Sequence, residues 1–379
     1  MEMRTWTKPV TFRGITLGAL LAAAAAESQD VTFMPHQDFL VGGSPFPVVV
    51  SDFNRDGVLD VAAGNVYTNE VSVLLGNGDG TFQAARNTGV CTFPFSMAVA
   101  DFNGDQVPDL AVACDRGLAI FLLMGNGDGS FQITSSIRVD AGPISVAVGD
   151  FNGDLIPDLA VASQVIGTVS VLLGNGDGTF QPPRRFALRP YLISLTVGDF
   201  NLDGLADLVV ANSSVNNVTV LLGNGDGTFE AGESYAVGNA PRSVAAGDFN
   251  GDQVPDLAVA NEYSHDVSVL LGKGDGTFAE AMSFGAHTFP TSVAVADFSG
   301  DGLLDLAVAN QFTNDVSVLL GNGDGTFQPA ENFAAANNPQ GIAVGDFNSD
   351  GWLDIAVADE GSDSVSVLIN TTSAVAAPR

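Results

Sequence analysis

Helix periodicity is what this chain lacks first. Beyond residue 30 no stretch repeats its apolar residues at helical spacing, which leaves short strands to build the fold. Histidine and cysteine are scarce, at 3 and 2 in 379 residues, with no zinc-ligand spacing and no nucleophile motif, so hydrolytic and metal-hydrolase chemistry lose their usual side chains. Basic residues are few as well: 13 Lys and Arg stand against 44 Asp and Glu. Those beyond residue 26 are scattered, so the electrostatic footprint of a nucleic-acid binder is missing. No apolar run reaches the roughly 20 residues that cross a bilayer as a helix.

What the chain has in plenty is repetition. Asp52-Phe53-Asn54-Arg55-Asp56-Gly57-Val58-Leu59-Asp60 returns in near copy from Asp101, Asp150, Asp199, Asp248, Asp297 and Asp346, every step being 49 residues. A strict period kept seven times marks one structural unit duplicated in tandem. Within each unit a run such as Ser96-Met97-Ala98-Val99-Ala100 precedes the motif and Leu110-Ala111-Val112-Ala113 follows it, both of strand length. A third apolar run, Val71-Ser72-Val73-Leu74-Leu75, leads into Gly76-Asn77-Gly78-Asp79-Gly80 and then Thr81-Phe82-Gln83. The Asn-Gly and Asp-Gly pairs supply the positive φ angles of a hairpin, which is the preferred reading of this segment over a second metal site at Asp79. With 46% hydrophobic residues and four antiparallel strands in each of seven units, the expectation is an all-β, seven-bladed β-propeller.

The chain's ends bear on ring closure. The seventh unit stops after Val365-Ser366-Val367-Leu368, before its hairpin, while Thr32-Phe33 lies one period before Thr81-Phe82 and Phe39 one period before the aromatic slot of the fourth strand. Residues 31–40 are therefore expected to complete the last blade. Two rings of Phe, one from Phe53 to Phe347 and one from Phe33 to Phe327, are read as core.

The motif places oxygen-bearing side chains at loop positions 1, 3, 5 and 9, with a backbone carbonyl at position 7 and often Gly at 6, as a hard cation such as calcium requires. Unit by unit the expected ligands are Asp52, Asn54, Asp56, Val58 and Asp60; Asp101, Asn103, Asp105, Val107 and Asp109; Asp150, Asn152, Asp154, Ile156 and Asp158. They continue as Asp199, Asn201, Asp203, Leu205 and Asp207; Asp248, Asn250, Asp252, Val254 and Asp256; Asp297, Ser299, Asp301, Leu303 and Asp305; Asp346, Asn348, Asp350, Trp352 and Asp354. Position 12 falls in a strand, so this is not the helical calcium hand. Of the 44 acidic residues, 21 are the Asp of these loops, and up to seven Ca2+ ions would offset part of the formal charge of −31.

At these residues the chain resembles the FG-GAP or VCBS repeat family, known from the propeller heads of integrin α subunits, over about residues 31–370. The resemblance implies calcium in the loop between first and second strands, on one face, and a partner on the opposite face. Position 3 departs from the family's frequent Asp, being Asn in six loops and Ser299 in the sixth, and Gln106, Leu155 and Gln253 replace Gly at position 6. Weaker binding is expected there.

Arg4, Lys8 and Arg13 followed by an apolar run from Gly14 to Ala26 read as a secretory signal peptide over 1–26. Its roughly 13 apolar residues are short for a membrane anchor. A single propeller domain over 27–373 and a tail over 374–379 complete the expected organisation, with a secreted or periplasmic, monomeric product. Cys91 and Cys114, both in the second unit, come to one sheet edge and are either a disulfide or two unpaired small residues.

The seven units also differ instructively. Calcium loops and glycine hairpins are nearly alike in every unit, whereas the loops of the other face diverge and carry Tyr67, Arg116, Tyr191, Arg242, Tyr263 and His265, a candidate partner-binding set. The competing explanation is drift in unconstrained loops. Two functions are carried forward: a non-catalytic binding or adhesion module for an extracellular glycan or protein, and a polysaccharide-active, lyase-like propeller. A lyase site would be lined by Arg189, Arg242, Tyr191, Tyr263 and His265, and no catalytic residue is assigned.

Overall fold

The computed structural model describes residues 30–372. The expected signal peptide and the expected C-terminal tail lie outside the described residues. Seven four-stranded antiparallel sheets stand as blades in a ring. Blade one runs from its inner strand Pro45–Ser51 through Asp60–Asn65 and Glu70–Leu74 to its outer strand Arg86–Gly89. The inner strands of neighbouring blades pack on one another around the axis.

Burial follows from that arrangement. Each second strand, such as Asp60–Asn65 or Asp207–Asn212, is buried at every residue because it is covered on both faces by adjacent blades, and its sequence is correspondingly apolar between two polar ends. Outer strands such as Arg86–Gly89 face solvent with every residue but one. In blades two and four the outer strand is longer, Phe131–Arg138 and Phe229–Ala236, since pairing continues through a bulge into the hairpin.

The two Phe rings form the seams between blades. Hairpin Phe131 meets loop Phe53 of the previous blade edge-on at 5.4 Å, and Phe180 meets Phe102 at 5.7 Å. The remaining pairs continue round to Phe82 against Phe347 at 5.5 Å. Such pairs contribute about 0.5–1.5 kcal/mol each beyond the area they bury.

Closure occurs as the sequence implies. Gln37–Leu40 pairs antiparallel with Ser364–Leu368 as the outer strand of blade seven, Phe39 lying opposite Val365. Phe33 bridges Asn370 and packs at 6.2 Å on Phe298, making the sixth-to-seventh seam. Asn370 stands where the other blades have the first hairpin Gly. Its Nδ2 donates to the Phe298 carbonyl, an acceptor served in other blades by a hairpin glycine N–H, as Gly80 serves Phe347. A side chain thus mends the ladder at the cut. Cys91 and Cys114 are bonded, with Cα atoms 6.0 Å apart, which resolves the alternative left open by the sequence.

Candidate functional site

Every loop between first and second strands is a coil of side-chain-to-backbone hydrogen bonds. In blade one the Asp52 carboxylate accepts from the Asp56 and Gly57 N–H groups at 3.1 and 2.9 Å, Asn54 Oδ1 from Asp56 N–H at 2.9 Å, and Asp56 Oδ1 from Val58 N–H at 2.9 Å. Tight coiling requires left-handed backbone at positions 4 and 6, and the seven loops meet it differently. Units two, three and five put Gly104, Gly153 and Gly251 at position 4 and force Gln106, Leu155 and Gln253 into φ of 66°, 63° and 68°. Units one, four and seven reverse this, with Arg55, Leu202 and Ser349 left-handed at position 4 and Gly at 6. One of the two sites is always Gly, because a side chain at both would add the left-handed penalty twice.

Position 9 has a distinct task. Asp60 is fully buried; its Oδ2 accepts from Phe53 N–H at 2.9 Å and its Oδ1 from Gly76 N–H at 2.8 Å, tying the loop to the end of the third strand. Asp109, Asp158, Asp207, Asp256, Asp305 and Asp354 repeat this pin. Burial pushes the Asp60 carboxyl up to about 6, the two N–H bonds oppose the rise, and the charges of Asp56 and Asp52 add to it.

The donor set suits the cation that the resemblance implies. It is all oxygen, and the oxygens of Asp52 and Asn54 share the Asp56 N–H, which draws positions 1, 3 and 5 together. The repulsion felt at Asp60 is the kind a bound cation would relieve. Among the described residues no three Asp, Glu, His or Cys side chains converge as a metal cluster, as position 3 is an amide or hydroxyl and position 9 is spent on backbone N–H groups. The fit therefore lies with positions 1, 3 and 5. In the glycine hairpin Asp79 is bound to its own turn, accepting from the Thr81 hydroxyl at 2.5 Å and the Thr81 N–H at 3.0 Å, and these bonds hold its carboxyl below the usual range.

The opposite face is built on another sevenfold device. A left-handed residue precedes each inner strand, among them Phe93, Tyr191 and Phe289 at φ of 61°, 71° and 63°, and its carbonyl accepts an N–H from the loop between second and third strands, as Phe289 does from Gln311 at 2.9 Å. Pro follows in six blades. The register then shifts at the next residue, a bulge that re-aims its side chain. That residue is Phe46, Phe95, Ile144, Ile193, Arg242, Thr291 and Gln340 in successive blades. Together they line a cavity of about 180 Å³ at this end of the central channel.

Below them runs a ring of hydroxyls. Ser96, Ser145, Ser194 and Ser243 each accept an N–H from the next inner strand, at 3.1 to 3.3 Å, and so fix the spacing of the mouth.

The six residues expected to bind a partner are divided by the structure. Tyr263 and His265 are brought together against Phe289, each 5.4 Å from its ring, and Phe312 stacks on the same ring at 4.1 Å. Tyr263 and Phe312 are about 60% exposed, which makes this an open aromatic patch. Arg242 is not on a loop but is the second residue of the inner strand Pro241–Gly247, inside the mouth. Arg116 lies over Phe93 at 3.8 Å, on the second blade, while Tyr67 and Tyr191 stand exposed on their own loops. Phe46, Phe95, Phe289, Phe312 and Gln340 were missed by sequence reasoning. A signal existed for three of them: the residue after Pro varies from unit to unit inside an otherwise uniform strand.

A family model described as FG-GAP-like repeat matches six overlapping segments, 52–112, 101–161, 150–210, 199–259, 248–308 and 297–357. No curated protein matches the chain. Similar solved structures include BBS1N in complex with ARL6DN, 12% identical with a TM-score of 0.65, covering 89% of this chain and 97% of that one. An Agrocybe aegerita lectin that recognises non-reducing terminal N-acetylglucosamine is 20% identical with a TM-score of 0.56, covering 87% and 86%. A catalytically inactive virginiamycin B lyase from Staphylococcus aureus, with quinupristin, is 14% identical with a TM-score of 0.59, covering 89% and 99%. At these identities the likeness is one of fold.

Proposed function

The chain belongs to the FG-GAP-like repeat family, and we propose that it is a secreted, calcium-stabilised binding module whose partner, an extracellular glycan or protein, is taken on the face opposite the calcium loops. The observation that carries this reading is the contrast between faces. Loop and hairpin side chains are consumed by their own backbone bonds and offer little to a ligand, whereas Tyr263, Phe289 and Phe312 form an exposed aromatic patch beside a cavity. Calcium would be held by the oxygens of positions 1, 3 and 5 and would supply the positive charge that lets their carboxylates lie close. The chain's own contribution is rigidity: position 9 pins each loop, and the Phe seams fix each blade.

Propellers of this shape include binders and lyases alike, so the surface has to choose. The test is a glycan array and a panel of extracellular matrix proteins, run beside a polysaccharide-cleavage assay on the same preparation. Saturable binding that falls on replacement of Tyr263 and Phe312 with Ala, without turnover, is the expected result. Chain cleavage abolished by the same replacements would overturn it in favour of an enzyme.

A further inference from the structure

The mouth of the central channel is chemically lopsided. Phe46, Phe95, Ile144 and Ile193 form an apolar arc, the two Phe rings being 4.0 Å apart. Arg242, Thr291 and Gln340 complete the circle with polar groups. The Arg242 guanidinium lies 5.6 Å from the Phe46 ring and makes no ion pair among the described residues. Gln340 is 3% exposed; its Nε2 donates to Glu360 Oε2 at 2.7 Å, which fixes the amide's orientation and leaves its buried Oε1 with no donor. A buried acceptor without a partner costs about 1–3 kcal/mol unless something fills the place. Thr291 spends its hydroxyl on the Gln340 carbonyl at 2.9 Å, so it does not supply that donor.

From this arrangement we infer that the mouth binds the free C-terminus of a polypeptide that ends in an apolar residue. The carboxylate takes Arg242, the terminal amide N–H donates to Gln340 Oε1, and the side chain lies on the Phe46–Phe95 arc. A cavity of about 180 Å³ has room for one residue's end. An acidic sugar shares the carboxylate, but it would set hydroxyls against four apolar side chains and leave them unpaired. Local charge permits an anion here although the chain is acidic, since the loop carboxylates lie on the opposite face. Glu360, the nearest acid to Gln340, is outside the lining and is held by hydrogen bonds from Ser44, Asn338 and Gln340.

The inference rests on the opposite face being the binding face, and the experiment separates the two. Fluorescently labelled Gly-Gly-Leu with a free carboxylate, the same peptide as its C-terminal amide, and galacturonate are titrated into the full chain by fluorescence polarisation, the sugar as competitor. The free acid is expected to bind at least about tenfold more tightly than the amide, and Arg242→Gln to abolish that difference with an unchanged melting temperature. Gln340→Leu is expected to weaken both peptides without removing the preference for the acid. Equal affinity for acid and amide, no binding of either, or stronger competition by galacturonate than by unlabelled peptide acid would each overturn the inference. An array ligand lost with Tyr263 but indifferent to Arg242→Gln would leave the binding reading standing and sink this one alone.

Discussion

Asp359 stands at the end of the second strand of blade seven, where blades one, four, five and six have Asn65, Asn212, Asn261 and Asn310. The Asn of blades one, five and six donates Nδ2 to a Ser hydroxyl on the third strand, as Asn310 does to Ser317 at 2.8 Å. Asp359, fully buried, has only the Ser366 N–H at 3.0 Å, its other oxygen lacks a partner, and Ser366 turns its hydroxyl to Asp38 instead. Burial pushes its carboxyl up from 3.8 to about 7, with hydrogen bonding by Ser366 opposing the rise and the Asp38 charge adding to it. The folded state therefore holds this proton more tightly than the unfolded one, so the contribution is complete below pH 3.8 and is lost as pH rises towards 7. At about 1.4 kcal/mol per pH unit the loss is at most ~4 kcal/mol above pH 7. Asp359→Asn removes the ionisation and restores the residue of the sister blades. A propeller of this size loses roughly 0.7 kcal/mol of stability per degree near its midpoint, so the variant should melt about 3 to 6 °C higher at pH 8. At pH 4 the two proteins should melt together, the His36–Asp38 pair being common to both. Differential scanning calorimetry from pH 4 to pH 8.5 reads the gap. A gap that does not depend on pH, or a variant that melts lower at pH 8, would refute the reasoning.

The other predictions concern the loops and the seam. Calcium removal by excess EGTA, with metal loss checked by elemental analysis, should lower the melting temperature, and an unchanged value would dismiss calcium as a stabiliser. Asp203→Ala, at position 5, should remove one ion and leave the other blades as they are, since repeats couple mainly to neighbours. Asp305→Ala should instead destabilise with or without calcium, by about 3 kcal/mol, because it orphans the buried Phe298 and Gly321 N–H groups; denaturant unfolding in EGTA separates the two classes of Asp. Deleting residues 31–41 bares the strand Ser364–Leu368 and the Phe298 seam, and light scattering should report aggregation; a monomeric, equally stable product would contradict closure by that strand.

The 49-residue period determined most of the architecture alone, because everything that makes a blade is local: alternation for strands, Asn-Gly and Asp-Gly for hairpins, and the Phe of each loop and hairpin for seams. Even closure was legible, since Thr32-Phe33 and Phe39 keep phase with the other units across the break in the ring. The division into a uniform and a variable face followed from strands that alternate in direction. Tertiary structure decided what depends on distance across the ring. Arg242 and Phe46 are four periods apart in sequence, and only closure together with a bulge that turns both inward puts them in one cavity. Phe289 and Phe312 belong to one blade, but their rings meet through the left-handed backbone at Phe289, a conformation that no pattern announces. At position 9 the motif's chemistry was visible as an oxygen donor, but its burial and its two N–H partners, one from another strand, gave that Asp a structural task that spacing alone does not reveal.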